Sequence, residues 1–373
     1  MLIWVKLAAF RALEVVYAAL GRRVFRTSRC VIPSVRLLSG CLFIALLSLL
    51  SSSCVRPSVP PRSGAAPKTS AASSCTIYLS RGDFARQVGF LVAETHGMYR
   101  GAGLTVRVVF KDSYADVSAA VSADSTSLGV LPAQDVVHFI AGGAKYKAVD
   151  VVMSKSPLLI VTRKIGQTMF LSGLVGRRLL VPKGTFVGPI VRAMLTNAGV
   201  SGLPEVVAVD NPAEAFARRA ADAAVVDSLT DLPLLASKGV NVVRFFPDEY
   251  RVHIFGDVMV ANDKLLGTGS GVVANVVNKT RAAWMHAFTD PEDVLATLRV
   301  YHRKEIDWQR EKSALESVVE LILDEDGKIP WVRTGDWQRV IALFPTSEGG
   351  GLSPRDVMVD TFVKSGAEAV SQK

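Results

Sequence analysis

Catalytic signatures are scarce in this 373-residue chain. It has five histidines, His96, His138, His253, His286 and His302, and none stands in the H-E-x-x-H pattern of a metalloprotease helix. Scattered in this way, they read as surface or hydrogen-bonded side chains rather than as ligands. No G-x-S-x-G nucleophile elbow and no G-x-x-x-x-G-K-[ST] phosphate loop occurs. Beyond residue 53 the cysteines are Cys54 and Cys75, too few for a structural metal cluster, and no internal disulfide is expected. No basic stripe with interleaved aromatics is present, which argues against a nucleic-acid surface. Together these gaps argue against an enzyme and turn attention to binding.

The front of the chain holds a charge-free apolar run, Leu37–Leu50. At fourteen residues it is short for a bilayer span, which needs about 20, and it suits a signal-peptide core. Arg22, Arg23, Arg26, Arg29 and Arg36 precede it, and Ser51, Ser52 and Ser53 follow, the secretory order of positive, greasy and small. Cys54 comes next, and then VRPSVPPRSGAAPKTSAASS, too poor in large apolar side chains to fold, which reads as a flexible tether. A cysteine between signal and tether resembles the bacterial lipobox, with Cys54 the expected acylation site and Cys41, in LSGC, the alternative. The first 34 residues look surplus to such a signal. Initiation at Val35 gives a compact one, and a separate N-terminal membrane helix is the other reading. Residues 1–53 carry seven basic residues and one acid, so the net charge of +9 falls to +3 without them. The basic character therefore belongs mostly to the leader.

From Cys75 onward, strand and helix signals alternate. CTIYLS, LTVRVVF and SLGVL read as strands. A helix is expected over Phe84–Tyr99, on the spacing of Phe84, Val88, Leu91, Val92, Thr95 and Tyr99, and another over Ala133–Ala141. AVDVVMS and LLIVTR follow, and then a second block repeats the pattern with RRLLVP, a helix over Val187–Ala198, EVVAV, a helix over Pro212–Ala220, AAVVD and NVVRFF. After RVHIFGDVMVAN, residues 269–323 read as helical, with further helices near Trp337–Leu343 and Pro354–Val363. The expected class is α/β, with mostly parallel sheets, flanking helices and a helical C-terminal extension.

Ligands of α/β sheets bind beyond the carboxyl ends of strands. LSRGDFARQ offers Arg81 for an anion, Asp83 as N-cap and Phe84 as a flat face. LPAQDVV offers Gln134 and Asp135. VPKGTFVGP places Lys183, Gly184, Thr185 and Phe186 ahead of a helix N-terminus, where free N–H groups cradle anions; an ordinary turn and cap is the other reading. Asp227 and Ser228 follow AAVVD, with Asp227 either a ligand acceptor or a helix cap.

Three ordered motifs add a resemblance. Gly97-Met98-Tyr99-Arg100-Gly101-Ala102-Gly103-Leu104-Thr105-Val106, the segment Leu174–Gly184 and the segment Met194–Val200 are similar to the SsuA/THI5-like (NMT1-type) substrate-binding proteins. The resemblance implies a two-lobed type II periplasmic binding fold, with 76–157 and 258–373 in one lobe and 158–257 in the other, behind a leader at 1–53 and a tether at 54–75. It implies a cleft drawing on Ser80, Arg81, Asp83, Phe84, Pro132, Gln134, Lys183, Gly184, Thr185, Phe186, Gly188, Asp227 and Ser228. It further implies a monomeric, lipid-anchored receptor at the periplasmic face of a membrane, with an ABC permease and its ATPase as partners and neither cofactor nor metal. The solute would be thiamine, its pyrimidine precursor or a related compound, or else a sulfonate, taurine or nitrate. A pyrimidine-synthase-like enzyme and a surface sensor or adhesin are the remaining alternatives. Pyrimidine binders of this type place a Trp in the first strand-end loop. Here the loop reads SRGDF, leaving Phe84, Tyr114 or Phe186 to stack on a ring. The cysteine-rich run of the fungal pyrimidine synthases is absent, again arguing against an enzyme.

Overall fold

A computed structural model describes residues 73–81, 84–163, 170–301 and 308–360. The leader, Cys54, most of the tether, Asp83 and His302 lie outside them. Ser73 and Ser74, which the sequence places in the tether, already pair with Leu104 and Thr105, because β1 starts two residues before its apolar pattern does.

The elements run in chain order as follows. First come β1 (Ser73–Ser80), a 3-10 turn (Phe84–Gln87), α1 (Val88–Thr95), α2 (Met98–Gly101), β2 (Leu104–Lys111), α3 (Tyr114–Ala123), β3 (Ser127–Pro132), α4 (Ala133–Ala141) and β4 (Tyr146–Val151). The second block holds β5 (Leu158–Arg163), β6 (Arg178–Pro182), α5 (Gly188–Asn197), β7 (Glu205–Val209), α6 (Pro212–Ala217), β8 (Ala223–Asp227), α7 (Asp231–Ser237) and β9 (Val242–Phe245). The chain then returns through β10 (Asp257–Asn262) to α8 (Asp263–Thr268), α9 (Ser270–Thr289), α10 (Pro291–Tyr301), α11 (Trp308–Ile322), α12 (Thr334–Ile341) and α13 (Pro354–Val357).

Two five-stranded sheets form, ordered β2-β1-β3-β10-β4 and β7-β6-β8-β5-β9. In each, the first three strands pair in parallel, and the fourth, arriving from the other block, runs antiparallel to both neighbours. Each sheet is thus parallel except for its crossover strand. This is the two-lobed periplasmic binding architecture, with a helical C-terminal region on the first lobe.

The helix expected over Phe84–Tyr99 is broken at His96–Gly97, where Gly97 adopts φ +65 and the chain turns into α2. The long C-terminal helix is divided at Asp290–Pro291, because proline lacks an N–H and cannot continue a helix. Residues 114–123 carried no helix expectation. In α3 only Val117, Ser118 and Val121 are buried, so periodicity is faint, while Ser113 caps the helix by accepting from Asp116 N at 3.1 Å.

The packing of α1 against α9 anchors the first lobe. Trp284 is fully buried and lies so close to Gly89 that a Cβ there would sit 2.3 Å from the indole. Tyr99 Oη and Thr280 Oγ1 hydrogen-bond at 2.7 Å in the same layer. Burial of a side chain of this size contributes about 3 kcal/mol.

The two segments joining the lobes run side by side. Val152 N and Met153 N both donate to Asp257 O, at 2.8 and 3.1 Å, and Gly256 N donates to Met153 O at 2.9 Å. A Cβ at Gly256 would come within 2.8 Å of Lys155 O, so only glycine permits this approach. The end of α11 braces the same segment, with Leu321 O accepting from Lys155 N at 3.2 Å and Ser154 Oγ at 3.1 Å. No described helix is long and apolar enough to cross a membrane.

Candidate functional site

The strand-end loops of the two sheets meet, and a single guanidinium joins them. Arg86 lies in the 3-10 turn after β1 and is 8% exposed. Its Nε and Nη2 donate to Asp257 Oδ2 and Oδ1 at 2.9 and 2.7 Å, a bidentate fork onto the start of β10. Its Nη1 donates to Asp227 Oδ2 at 2.7 Å, at the end of β8 in the other lobe. Burial works against the charge, and Asp257, Tyr114 and Asp227 more than offset it. Asp227 Oδ1 also accepts from Leu229 N at 2.8 Å in a local turn, while the N-cap of α7 is Thr230, so Asp227 is not the helix cap that was the other reading of it.

A second contact between the lobes involves α4 and the loop after β6. Phe186 stacks on His138, with ring centroids 3.2 Å apart and planes at 15°, and Phe139 meets it edge-on at 5.8 Å. Burial holds the His138 imidazole below its usual pKa, against the pull of Glu348, which favours the neutral ring for stacking. Phe186 N donates to Asp135 Oδ1 at 3.3 Å.

The strand-end segments of the first lobe also hold buried acceptors with nothing to accept. Asp135 Oδ2, Gln134 Oε1 and Gln87 Oε1 find no hydrogen-bond partner among the described residues. Gln87 and Gln134 follow β1 and β3, which are adjacent strands, and Gln87 Nε2 is already engaged with Ser80 O. Asp135 is fully buried, and its pKa is raised to about 7, chiefly by burial and further by Asp257, with the Phe186 N–H opposing. Tyr114 borders the same carboxyl groups, and its hydroxyl is held in the protonated form, first by burial. A buried acceptor without a donor costs about 1–3 kcal/mol, so the arrangement favours a guest that carries N–H or O–H groups.

The other expected site residues are spread more widely. Pro132 is buried where β3 meets Asp257 of β10, and Ser228 N donates to Pro157 O at 2.8 Å beside the crossover. Thr185 Oγ1 donates to Pro182 O at 3.0 Å, and Gly184 takes φ +69 in the same turn. Gly188 opens α5. Phe84 packs on Phe110, with ring centroids 5.6 Å apart. The two cations singled out in the sequence face solvent instead. Arg81 pairs with Asp112 at 2.9 Å, and Lys183 pairs with Asp210 at 3.1 Å. Among the described residues, a cation between the lobes is Arg86, which sequence reasoning missed, as it missed Asp257 and His138. One signal was available, since Asp257 interrupts the apolar run IFGDVMVA and a lone acid inside a buried strand demands a partner. Cys75 lies in the core of β1, where burial pushes its thiol up to about 11 and keeps it from acting as a nucleophile.

Several solved structures share this architecture. One is a protein of Bordetella bronchiseptica RB50, at 15% identity with a TM-score of 0.60, covering 80% of this chain and 98% of that one. The periplasmic aliphatic sulphonate binding protein SsuA of Escherichia coli matches at 16% identity and TM-score 0.58, covering 76% and 90%. The alkanesulfonate-binding protein SsuA of Xanthomonas axonopodis pv. citri, solved bound to MOPS, matches at 15% and 0.56, covering 78% and 97%. No curated protein matches by sequence. The model of the family described as NMT1/THI5 like matches residues 85–294, more than half of the chain and both lobes, and the chain belongs to that family.

Proposed function

We propose that this protein is the solute receptor of an ABC-type importer, held at the periplasmic face of a membrane by lipid on Cys54. Its solute is a donor-rich, cationic heteroaromatic of the thiamine or aminopyrimidine type. The observation that carries the ligand class is the set of orphan acceptors in the strand-end segments of the first lobe, Asp135 Oδ2, Gln134 Oε1 and Gln87 Oε1, of which Asp135 meets the other lobe through Phe186 N. Arg86 there pairs with two aspartates, Asp227 and Asp257, and Asp257 in turn acts on a third, Asp135. A ring amine or a cation supplies what these groups want, whereas the sulfonate group itself brings only acceptors and negative charge. Stacking on a heteroaromatic falls to Phe186 and His138, whose contact parts as the lobes open to admit the solute. Arg86 and Asp227 act as a latch across the mouth, and the paired crossover segments serve as the hinge. Binding needs no covalent step, in keeping with a protonated Cys75 buried in the core.

A second reading, a sulfonate receptor, has one observation in its favour. When the lobes part, Arg86 gains a free Nη1–H, and α4 and α5 open directly after strand-end loops with N-termini that attract anions. Thermal unfolding of the full chain separates the two. With thiamine or its hydroxymethyl-aminopyrimidine at 100 times Kd, stabilisation of about 2.7 kcal/mol is expected, a rise of about 4 °C. Taurine and alkanesulfonates should leave the transition in place. A shift with sulfonates alone replaces the first reading by the second, and no shift with either class refutes both.

A further inference from the structure

Two histidines and an aspartate that lie far apart in sequence converge at the opposite end of α1 from the cleft. His96 is the residue that ends α1, His286 lies in the last turn of α9, and Asp293 lies in the first turn of α10. His286 Nε2 stands 3.0 Å from Asp293 Oδ2, and His96 Nε2 stands 3.1 Å from the same oxygen. One ligand atom from each of the three side chains falls within 4.8 Å of the others. His96 Nε2 is also 3.2 Å from Thr297 Oγ1, on the next turn of α10. The imidazole rings meet edge to face, with centroids 5.3 Å apart.

The local fold holds this grouping in place. The chain breaks at Asp290–Pro291, and Asp290 Oδ1 caps α10 by accepting from Asp293 N at 3.1 Å, which turns Asp293 back toward His286. The turn at His96–Gly97 brings His96 across from α1. The three side chains are 27%, 35% and 34% exposed, so they are fixed by packing yet open to solvent on one side.

We propose that His96, His286 and Asp293 bind a divalent first-row transition ion, zinc by donor set, at a site separate from the solute cleft. With zinc–nitrogen and zinc–oxygen bonds of about 2.0–2.1 Å, neighbouring ligand atoms of a tetrahedral site stand about 3.3 Å apart. The two imidazole–carboxylate spacings here are already within a few tenths of an ångström of that. Two nitrogens and one carboxylate suit zinc, nickel or copper and do not suit magnesium or calcium, which take oxygen. The fourth position is left to water or to the Thr297 hydroxyl. A bound ion ties the ends of α1, α9 and α10 together on the first lobe, about 12 Å of helix away from Arg86.

The test is calorimetric titration of ZnCl2 into the full chain, purified on a histidine-free tag and stripped with a chelator. One ion per chain is expected, with or without solute. His96→Ala and His286→Ala should each weaken binding at least tenfold, and Asp293→Asn should weaken it by a similar factor while keeping the side-chain shape. His253→Ala, at a histidine paired with Asp248 elsewhere, should leave it unchanged. A melt in chelator shows that the variants are folded, and wild type alone should gain several degrees on zinc addition. Absence of saturable binding overturns the proposal. So does binding that survives in the His96→Ala/His286→Ala double variant, or equal stabilisation by Mg2+ or Ca2+.

Discussion

Replacing Asp135 by Asn changes the shape of the cleft very little and removes one titrating group from it. The carboxyl is fully buried, one oxygen accepts from Phe186 N, and the other has no donor among the described residues. Its pKa is raised from 3.8 to about 7, with burial the first cause. The folded chain therefore holds this proton more tightly than the unfolded chain does. Below pH 3.8 both states are protonated and the group costs nothing. As pH rises, the unfolded state releases its proton first, and the stability lost grows until the folded group also ionises near pH 7. At 1.36 kcal/mol for each tenfold difference, the plateau amounts to about 4 kcal/mol. Asparagine carries no such dependence, although its amide replaces an orphan acceptor by an orphan donor, a pH-independent offset of about 1–3 kcal/mol. Urea unfolding of the full chain at a series of pH values from about 4 to 8 should show the variant gaining on wild type as pH rises, by up to about 4 kcal/mol across the range. Parallel stability curves would refute the assignment of a buried, proton-holding carboxyl at this position. With a cationic solute, wild-type affinity should rise over the same interval while the variant stays flat.

Two further substitutions address the contacts between lobes. Arg86→Ala leaves Asp257 buried without its counter-charge and severs the link to Asp227, so a loss of about 3–5 kcal/mol is expected together with a larger radius of gyration by small-angle scattering. An unchanged melting transition speaks against the bridge. Phe186→Ala removes the ring stacked on His138 and should weaken solute binding about tenfold, equivalent to about 1.4 kcal/mol, with little change in the melt. Titration calorimetry with thiamine reads this directly, and undiminished affinity excludes Phe186 from the site.

The amino-acid order fixed the α/β alternation, the strands and most helices, because burial on both faces writes near-continuous apolar runs and amphipathic helices write a period of 3.6. It also marked Gln134, Asp135, Phe186 and Asp227, since strand-end loops that become helix N-termini are recognisable locally. What it could not fix was which side chains face one another across the lobes. Arg81 and Lys183 stood in the right loops but pair with Asp112 and Asp210 in solvent, while Arg86, unremarkable in FARQ, is buried between aspartates 141 and 171 residues away. The reversed strands β5 and β10 were equally hidden, as strand direction depends on where the chain crosses and leaves no trace in a local pattern. His96 and His286 looked scattered for the same reason: 190 positions separate them along the chain, and only the breaks at Gly97 and Pro291 turn them toward one carboxylate. Local chemistry is written in the sequence, but the pairing of distant charges is decided by the packing of helices and sheets that carry them.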